Sequence, residues 1–76
     1  MTNPNKGITM KQADAMATLL GFSDHIEEYE LVDMEHVYTL DDGCALIIPM
    51  EGNMYVLQNE TKLTIVQYKD WRNTNG

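Results

Sequence analysis

Two turn sequences define the centre of this chain. Asp-Asp-Gly at residues 41–43 and Glu-Gly-Asn at residues 51–53 stand on either side of residues 44–48, which are almost wholly apolar. Asp, Asn and Gly tolerate the positive φ angles that hairpin turns require, and Pro49 is expected to end the apolar segment. Residues 44–48 are therefore predicted to form a central strand with a hairpin neighbour on each side.

The flanking segments show the patterns of those neighbours. From Met34 onward, apolar and polar residues alternate, which places Val37 and Thr39 on one face of a strand and residues 36, 38 and 40 on the other. Residues 54–58 are predicted to form the next strand. Together these segments predict an antiparallel meander.

A helix is predicted before this sheet. Thr9 and Gln12 have the spacing of a capping box, and Ile8 precedes them where a staple residue belongs. Apolar residues recur at three-and-four spacing up to Leu20, and Gly21 is a typical helix terminator. The sequence predicts an amphipathic helix over residues 10–20.

Two segments are less clearly determined. Ser23 could cap a short helical turn that continues through residues 24–29. In residues 62–71, KLTIVQYKDW, the β-branched residues favour a fourth strand, although Ile65, Tyr68 and Trp71 could also share one helical face. Propensity favours the strand, so a strand is our prediction, with a helix as the alternative.

These elements predict an α+β fold in which an N-terminal amphipathic helix packs on a small antiparallel sheet of three or four strands. Seventy-six residues suit a single domain, 1–76, with residues 1–7 and 73–76 expected to be flexible. No apolar run approaches the length of a membrane span, and the N-terminus lacks the features of a signal peptide. We therefore expect a cytoplasmic protein that does not bind membranes.

The charge distribution is the strongest functional signal. Residues 12–61 contain eleven carboxylates and no Lys or Arg, and eight of those carboxylates lie between Asp24 and Asp42, so no cation in the segment can neutralise them. A solvated acidic face is one interpretation, but a single-sign field also selects a basic partner. Direct binding to nucleic acid is disfavoured because binders use Lys and Arg to contact phosphates.

No residues stand out as a catalytic or metal-binding set. Cys44 begins the predicted central strand, where we expect a small buried apolar residue rather than a nucleophile, and His25 and His36 are expected at the surface or at a sheet edge. The acidic turn at 41–43 lacks the ligand spacing of a calcium loop. We expect no enzymatic activity, no cofactor and no metal.

The segment YTLDDGCALI, Tyr55 and the late YKDW resemble the corresponding region of small acidic phage-encoded anti-CRISPR proteins that inhibit the type I-F surveillance complex as double-stranded DNA mimics. The matching positions are Tyr38, Asp41, Asp42, Tyr55, Tyr68, Asp70 and Trp71. The resemblance implies that residues 62–71 are helical. The family member resembled continues into an acidic helix after its tryptophan, whereas this chain has residues 72–76 there, so the inhibitory acidity would instead lie in residues 24–42.

The sequence thus predicts a stoichiometric inhibitor that occupies a basic nucleic-acid-binding surface of a host protein or CRISPR effector complex; it could also form a homodimer. Carboxylates are expected to meet cations of the target, with two tyrosines as rigid anchors. The predicted contact residues are Asp24, Glu27, Glu28, Glu30, Asp33, Glu35, Asp41, Asp42, Tyr29 and Tyr38. The alternative is an interaction module that grips a host polymerase or metabolic enzyme through an apolar patch, with Tyr68 and Trp71 packed in the core in either case.

Overall fold

The computed structural model describes residues 9–75, which form two helices and five strands. The elements are α1 (Met10–Leu19), a 3₁₀ turn (Ser23–His25), β1 (Ile26–Val32), β2 (Glu35–Leu40), β3 (Ala45–Pro49), β4 (Tyr55–Gln58), β5 (Thr61–Leu63) and α2 (Ile65–Asn75). The fold is α+β, as predicted. The sheet has five strands rather than three or four.

Helix α1 begins at Met10 as predicted and ends at Leu19, one residue before the predicted end, with Leu20 as its C-cap. The Thr9 side chain accepts a hydrogen bond from the backbone N–H of Gln12, and the Gln12 side chain accepts one from the backbone N–H of Thr9, which completes a capping box. Gly21 follows the helix with φ at +87°, a conformation that glycine adopts without strain. The predicted staple residue, Ile8, lies outside the described residues.

The five strands are all antiparallel and lie in chain order, β1-β2-β3-β4-β5. The predicted turns at Gly43 and Gly52 are both present, with φ at +87° and +97°. The β1–β2 hairpin turns through Asp33 and Met34, whose φ angles are both positive, as in a two-residue type I′ turn. β3 lies at the centre of the sheet, as its apolar sequence predicts.

Strand β1 corrects one prediction. The helical turn at Ser23 ends at His25, and residues 26–29 belong to the strand. The register shifts between Ile26 and Glu28, so a bulge interrupts the alternation and the two partly buried residues of β1 stand at 26 and 29. A spacing of three imitates one turn of helix, which is why the sequence pattern was misleading here.

Helix α2 corrects a second prediction. Residues 62 and 63 belong to strand β5, as predicted, but residues 65–75 are helical, which was the alternative. The helix over 62–71 that the resemblance implies is therefore present only from residue 65 onward. Thr64 and Gln67 exchange the same pair of hydrogen bonds as Thr9 and Gln12, at 2.9 and 3.0 Å. This second capping box outweighs the β-branched residues. The helix also includes residues 73–75, which we expected to be flexible.

Both helices cover the same face of the sheet. One core cluster joins Ala13 and Ala17 of α1 and Tyr68 of α2 to the inward side chains of the strands. The strand residues in that cluster are Tyr38, Leu40, Leu46, Ile48 and Val56. The predicted burial of Tyr68 is confirmed, and Trp71 is half-buried against the cluster. Within residues 9–75, no helix has the length and apolar character needed to cross a membrane.

Candidate functional site

The face of the sheet opposite the helices, here called the outer face, is uncovered by any element of residues 9–75. Residues paired across antiparallel strands point to the same side, so the register defines rows of side chains on this face. One row reads Glu28, Thr39, Ala45, Leu57 and Lys62 from β1 to β5. The neighbouring row reads Glu30, Val37, Ile47 and Tyr55.

These rows give the outer face an apolar centre and charged sides. Ile47 is only 3% exposed although no helix covers it, because its neighbours Val37 and Tyr55 flank it on the adjacent strands. Carboxylates occupy the β1 side. On the β5 side, the Lys62 ammonium lies 4.6 Å from the centre of the Tyr55 ring, a cation–π contact.

Five carboxylates belong to the β1–β2 hairpin and are here called the hairpin carboxylates: Glu27, Glu28, Glu30, Asp33 and Glu35. Glu28, Glu30 and Glu35 point to the outer face, and Asp33 lies in the turn. Four of the five are exposed and Glu35 is half-exposed. Among the described residues, none of the five takes part in an ion pair. The prediction that this segment carries unneutralised charge therefore fits the geometry of the hairpin.

Asp41 and Asp42 differ from the hairpin carboxylates because a cation from the far end of the chain reaches them. The Arg72 guanidinium of α2 donates hydrogen bonds to Asp41 Oδ1 at 3.1 Å and to Asp42 Oδ2 at 2.8 Å. The same nitrogen donates to the Tyr68 hydroxyl at 2.8 Å, and Tyr68 donates to Asp42 Oδ2 at 2.6 Å. The expectation that nothing in the chain offsets the charge of these two acids is therefore wrong: they share one cation.

The contacts of this turn change the ionisation of its members. Hydrogen bonds from His25 and Arg72 hold the pKa of Asp41 below its usual range. Burial acts against ionisation of Asp42, but hydrogen bonds from Tyr68 and the Cys44 backbone, together with the Arg72 charge, still lower its pKa. Burial, followed by the bond to Asp42, raises the pKa of Tyr68 to about 12. The turn is a closed network of hydrogen bonds and ion pairs, which suits it to a structural role.

The two predicted tyrosine anchors are not free contact residues. Tyr38 is 1% exposed, and its hydroxyl donates to Asp14 Oδ1 at 2.6 Å, which ties β2 to α1. Tyr29 is half-buried, and its hydroxyl lies 2.7 Å from Nδ1 of His36. Because both rings face the core side of the sheet, they stabilise the hairpin and are not placed to contact a partner.

The remaining candidates are placed as follows. Asp24 is exposed in the 3₁₀ turn before β1. His36 is 2% exposed, so the expectation of a surface or edge position is wrong for it, and His25 is partly exposed, with Nδ1 3.0 Å from Asp41 Oδ2. Cys44 is buried as predicted, and burial, followed by the neighbouring Asp42, raises the pKa of its thiol to about 11. A thiol with that pKa is a poor nucleophile at neutral pH.

A groove on the helix side was missed by sequence reasoning. Met16, Leu19, Leu20, Met54 and Ile65 line it; its volume is about 270 Å³, and we call it the helix-side groove. Leu19, which lines it, is 86% exposed, and Val66 elsewhere on α2 is 77% exposed. Both residues lie on helices, where an apolar residue on the solvent side is visible only once the helix faces are known. No group of three His, Cys, Asp or Glu residues within 9–75 is arranged to hold a metal.

Comparison of the chain with protein-family models, curated proteins and solved structures gives no match. The geometry of the hairpin, the Arg72 network and the two apolar surfaces is therefore the basis for a functional assignment.

Proposed function

We propose that this protein is a stoichiometric inhibitor, of the anti-CRISPR kind, whose hairpin carboxylates occupy a basic nucleic-acid-binding surface of a host defence complex. In this proposal the protein acts in the host cytoplasm and has no catalytic role. The observation that carries the proposal is the state of the hairpin carboxylates: four of the five are exposed and none has an ion pair among the described residues, whereas Asp41 and Asp42 share Arg72.

The spacing of these carboxylates suits them to a phosphate-binding surface. Glu28 and Glu30 are two residues apart on one strand face, which separates them by about 7 Å. Lys and Arg side chains arranged for successive phosphates can meet acids at a comparable spacing. The β1–β2 hairpin also fixes the acids on a paired strand, so binding needs less ordering than a disordered acidic tail would.

Holding unpaired acids together has an energetic cost. Two like charges about 7 Å apart repel by about 0.6 kcal/mol in water, and salt reduces this repulsion. A cationic partner would relieve the repulsion on binding and would be attracted from a distance. The resemblance at Tyr38, Asp41 and Asp42 supports the functional class, but the structure assigns those three residues to the core and the turn network.

The test is a charge reversal with a matched control. The triple variant Glu27→Lys, Glu28→Lys, Glu30→Lys is compared with Glu51→Lys, Glu60→Lys, Asp70→Lys, which changes the net charge equally at exposed acids off the hairpin. Each protein is added to a purified type I-F surveillance complex, and target DNA binding is measured at low and moderate salt. We expect the hairpin variant to lose inhibition and the control to retain most of it.

Failure of the wild-type protein to inhibit this complex would exclude that target. The broader proposal would then be examined by recovering a partner from host lysate at both salt concentrations and competing it with DNA. A partner that binds equally well at low and high salt, or that both triple variants lose equally, would contradict a role for the hairpin carboxylates.

A second candidate function rests on the helix-side groove. The exposed Leu19 lines this groove, where a protein partner could bury it without any role for the acids. In that case Leu19→Glu would abolish binding of a recovered partner, whereas the hairpin triple variant would leave it intact. The first proposal predicts that the hairpin triple variant loses binding and that Leu19→Glu retains it.

A further inference from the structure

We infer that the outer face of the sheet is the interface of a homodimer, with the two copies related by a two-fold axis parallel to the strands. This inference goes beyond the proposed function and can be tested on the purified protein alone. It rests on the apolar centre of the outer face and on the arrangement of charge across it.

The apolar centre supplies the area for association. Val37, Ala45, Tyr55 and Leu57 are half-buried around the buried Ile47, on a face that no element of residues 9–75 covers. Five strands span about 19 Å from β1 to β5. Two such faces can stack as an aligned pair of sheets, in which inward side chains of both copies form a second apolar layer.

The charges across the outer face make it complementary to the same face of a second copy. The row that begins with Glu28 on β1 ends with Lys62 on β5, so the two sides of one face carry opposite charges. Within one chain these residues are about 19 Å apart and too distant to interact through salt solution. When a second copy is turned over onto the first, each acid can meet the other copy's lysine.

The charge pattern selects the orientation of the axis. A two-fold axis parallel to the strands reverses the strand order, so β1 lies over β5 of the second copy and Glu28 lies opposite Lys62. Val37 and Thr39 of β2 then lie over Tyr55 and Leu57 of β4, which places apolar atoms against apolar atoms. An axis perpendicular to the strands within the sheet plane would instead stack β1 on β1 and oppose acid to acid.

The same axis also sets where the two hairpin turns lie. The turn at Asp33 lies level with the β3–β4 loop, because the Met50 backbone N–H donates to the Met34 carbonyl at 3.2 Å, whereas β5 has no residue level with Glu35. Both turns lie at the same end of the dimer, about 19 Å apart across the sheet, where salt screens their mutual repulsion. Glu28 and Glu30 lie within this interface, so a second copy and a basic partner would compete for them, and the inhibitor of the proposed function would be the monomer.

Sedimentation equilibrium from about 1 μM to about 1 mM protein tests the inference, because a small interface of this kind is expected to be weak. Glu28→Lys and Lys62→Glu should each raise the dissociation constant about tenfold, since each removes two symmetric ion pairs and opposes like charges. The double variant should return to within a few-fold of the wild type, because it restores both pairs with the charges exchanged.

Net charge alone predicts a different result. Glu28→Lys makes the chain less negative and would strengthen association, while Lys62→Glu would weaken it. Opposite effects of the two single variants, or a double variant that fails to recover, would therefore refute the pairing of these residues.

A second pair of variants tests the face itself. Leu57→Glu on the outer face should abolish the dimer, whereas Leu19→Glu makes the same change at an exposed helix residue and should leave it unchanged. Circular dichroism checks that each variant is folded. If Leu57→Glu does not fold, the Glu28 and Lys62 charge-exchange variants decide whether the outer face is the interface. A wild-type protein that stays monomeric throughout, or a dimer lost only in Leu19→Glu, would overturn the inference.

Discussion

The acids of the β1–β2 hairpin and those of the β2–β3 turn lie on adjoining segments of the chain but are treated differently by the fold. Asp41 and Asp42 receive hydrogen bonds from Arg72, and Asp42 also receives one from Tyr68. The hairpin carboxylates have no ion pair among the described residues. Arg72, about 30 positions further along the chain, thus pairs with the acids that stabilise the fold. The acids it does not reach remain available to a partner.

The comparison shows that acidic composition alone does not define an acidic surface. The turn acids are hydrogen-bonded at 2.6 to 3.1 Å, so removing one leaves donors unsatisfied. The hairpin acids mainly repel one another, so removing one relieves a small cost. Stability measurements should therefore separate the two groups clearly.

The largest expected effect is on the turn. Asp42→Ala removes the acceptor of the Tyr68 hydroxyl, of Arg72 and of the Cys44 backbone N–H. We expect it to lower the free energy of unfolding by about 3 kcal/mol, since hydrogen bonds to a charged group contribute strongly. Glu28→Ala, the matched change on the hairpin, should stay within about 0.5 kcal/mol of the wild type in urea denaturation. If both variants lost the same free energy of unfolding, the turn acids and the hairpin acids would not differ in their contribution to stability.

A smaller effect on stability is expected when the pH is lowered. The pKa values of Asp41 and Asp42 are lowered in the folded state, so their contribution to stability is complete above the unfolded-state pKa of about 4. It is lost as the pH falls from about 4 through the folded-state values. The double variant Asp41→Asn, Asp42→Asn should therefore be less stable than the wild type at pH 7, and the difference should shrink below pH 4.

Thermal unfolding of both proteins between about pH 2 and pH 7 measures that difference. If the difference in stability between the wild type and the double variant is the same at every pH in this range, the negative charge of the two aspartates does not contribute to stability.

The smallest effect is expected from neutralising the hairpin. Glu28→Gln and Glu30→Gln together should raise the free energy of unfolding by about 0.5 kcal/mol at low salt, because they remove repulsion between exposed like charges. The gain should vanish in about 1 M salt, where the screening length falls to about 3 Å. Urea denaturation at both salt concentrations measures it; a loss of stability at low salt would show that these acids are paired within the chain.

Local sequence signals predicted much of the fold, and their failures have identifiable causes. The capping box at Thr9 and the turns at Gly43 and Gly52 are short-range chemistry, and all three are present. Thr64 and Gln67 carry the same capping signal, but the strand prediction rested on the β-branched residues alone. β1 was missed because the bulge at Ile26–Glu28 gives a strand the spacing of a helix.

The candidate site was predictable only in part. The sequence indicated an acidic segment that contained the hairpin carboxylates, because the charge run is visible without any fold. It did not indicate that Tyr38 is buried, that Arg72 pairs with the turn acids, or that Glu28 and Lys62 end one row of the outer face. Each of these depends on residues brought together from distant positions.

The sequence by itself determined the fold class, the first helix, the central strand and the excess of negative charge, because caps, turn residues and apolar runs act over a few neighbouring residues. Only the tertiary structure decided which acids are neutralised, which face of the sheet is covered and where the apolar centre of the outer face lies. The reason is physical: pairing and burial depend on distances in space, and here a helix near the end of the chain and the register of five strands set those distances.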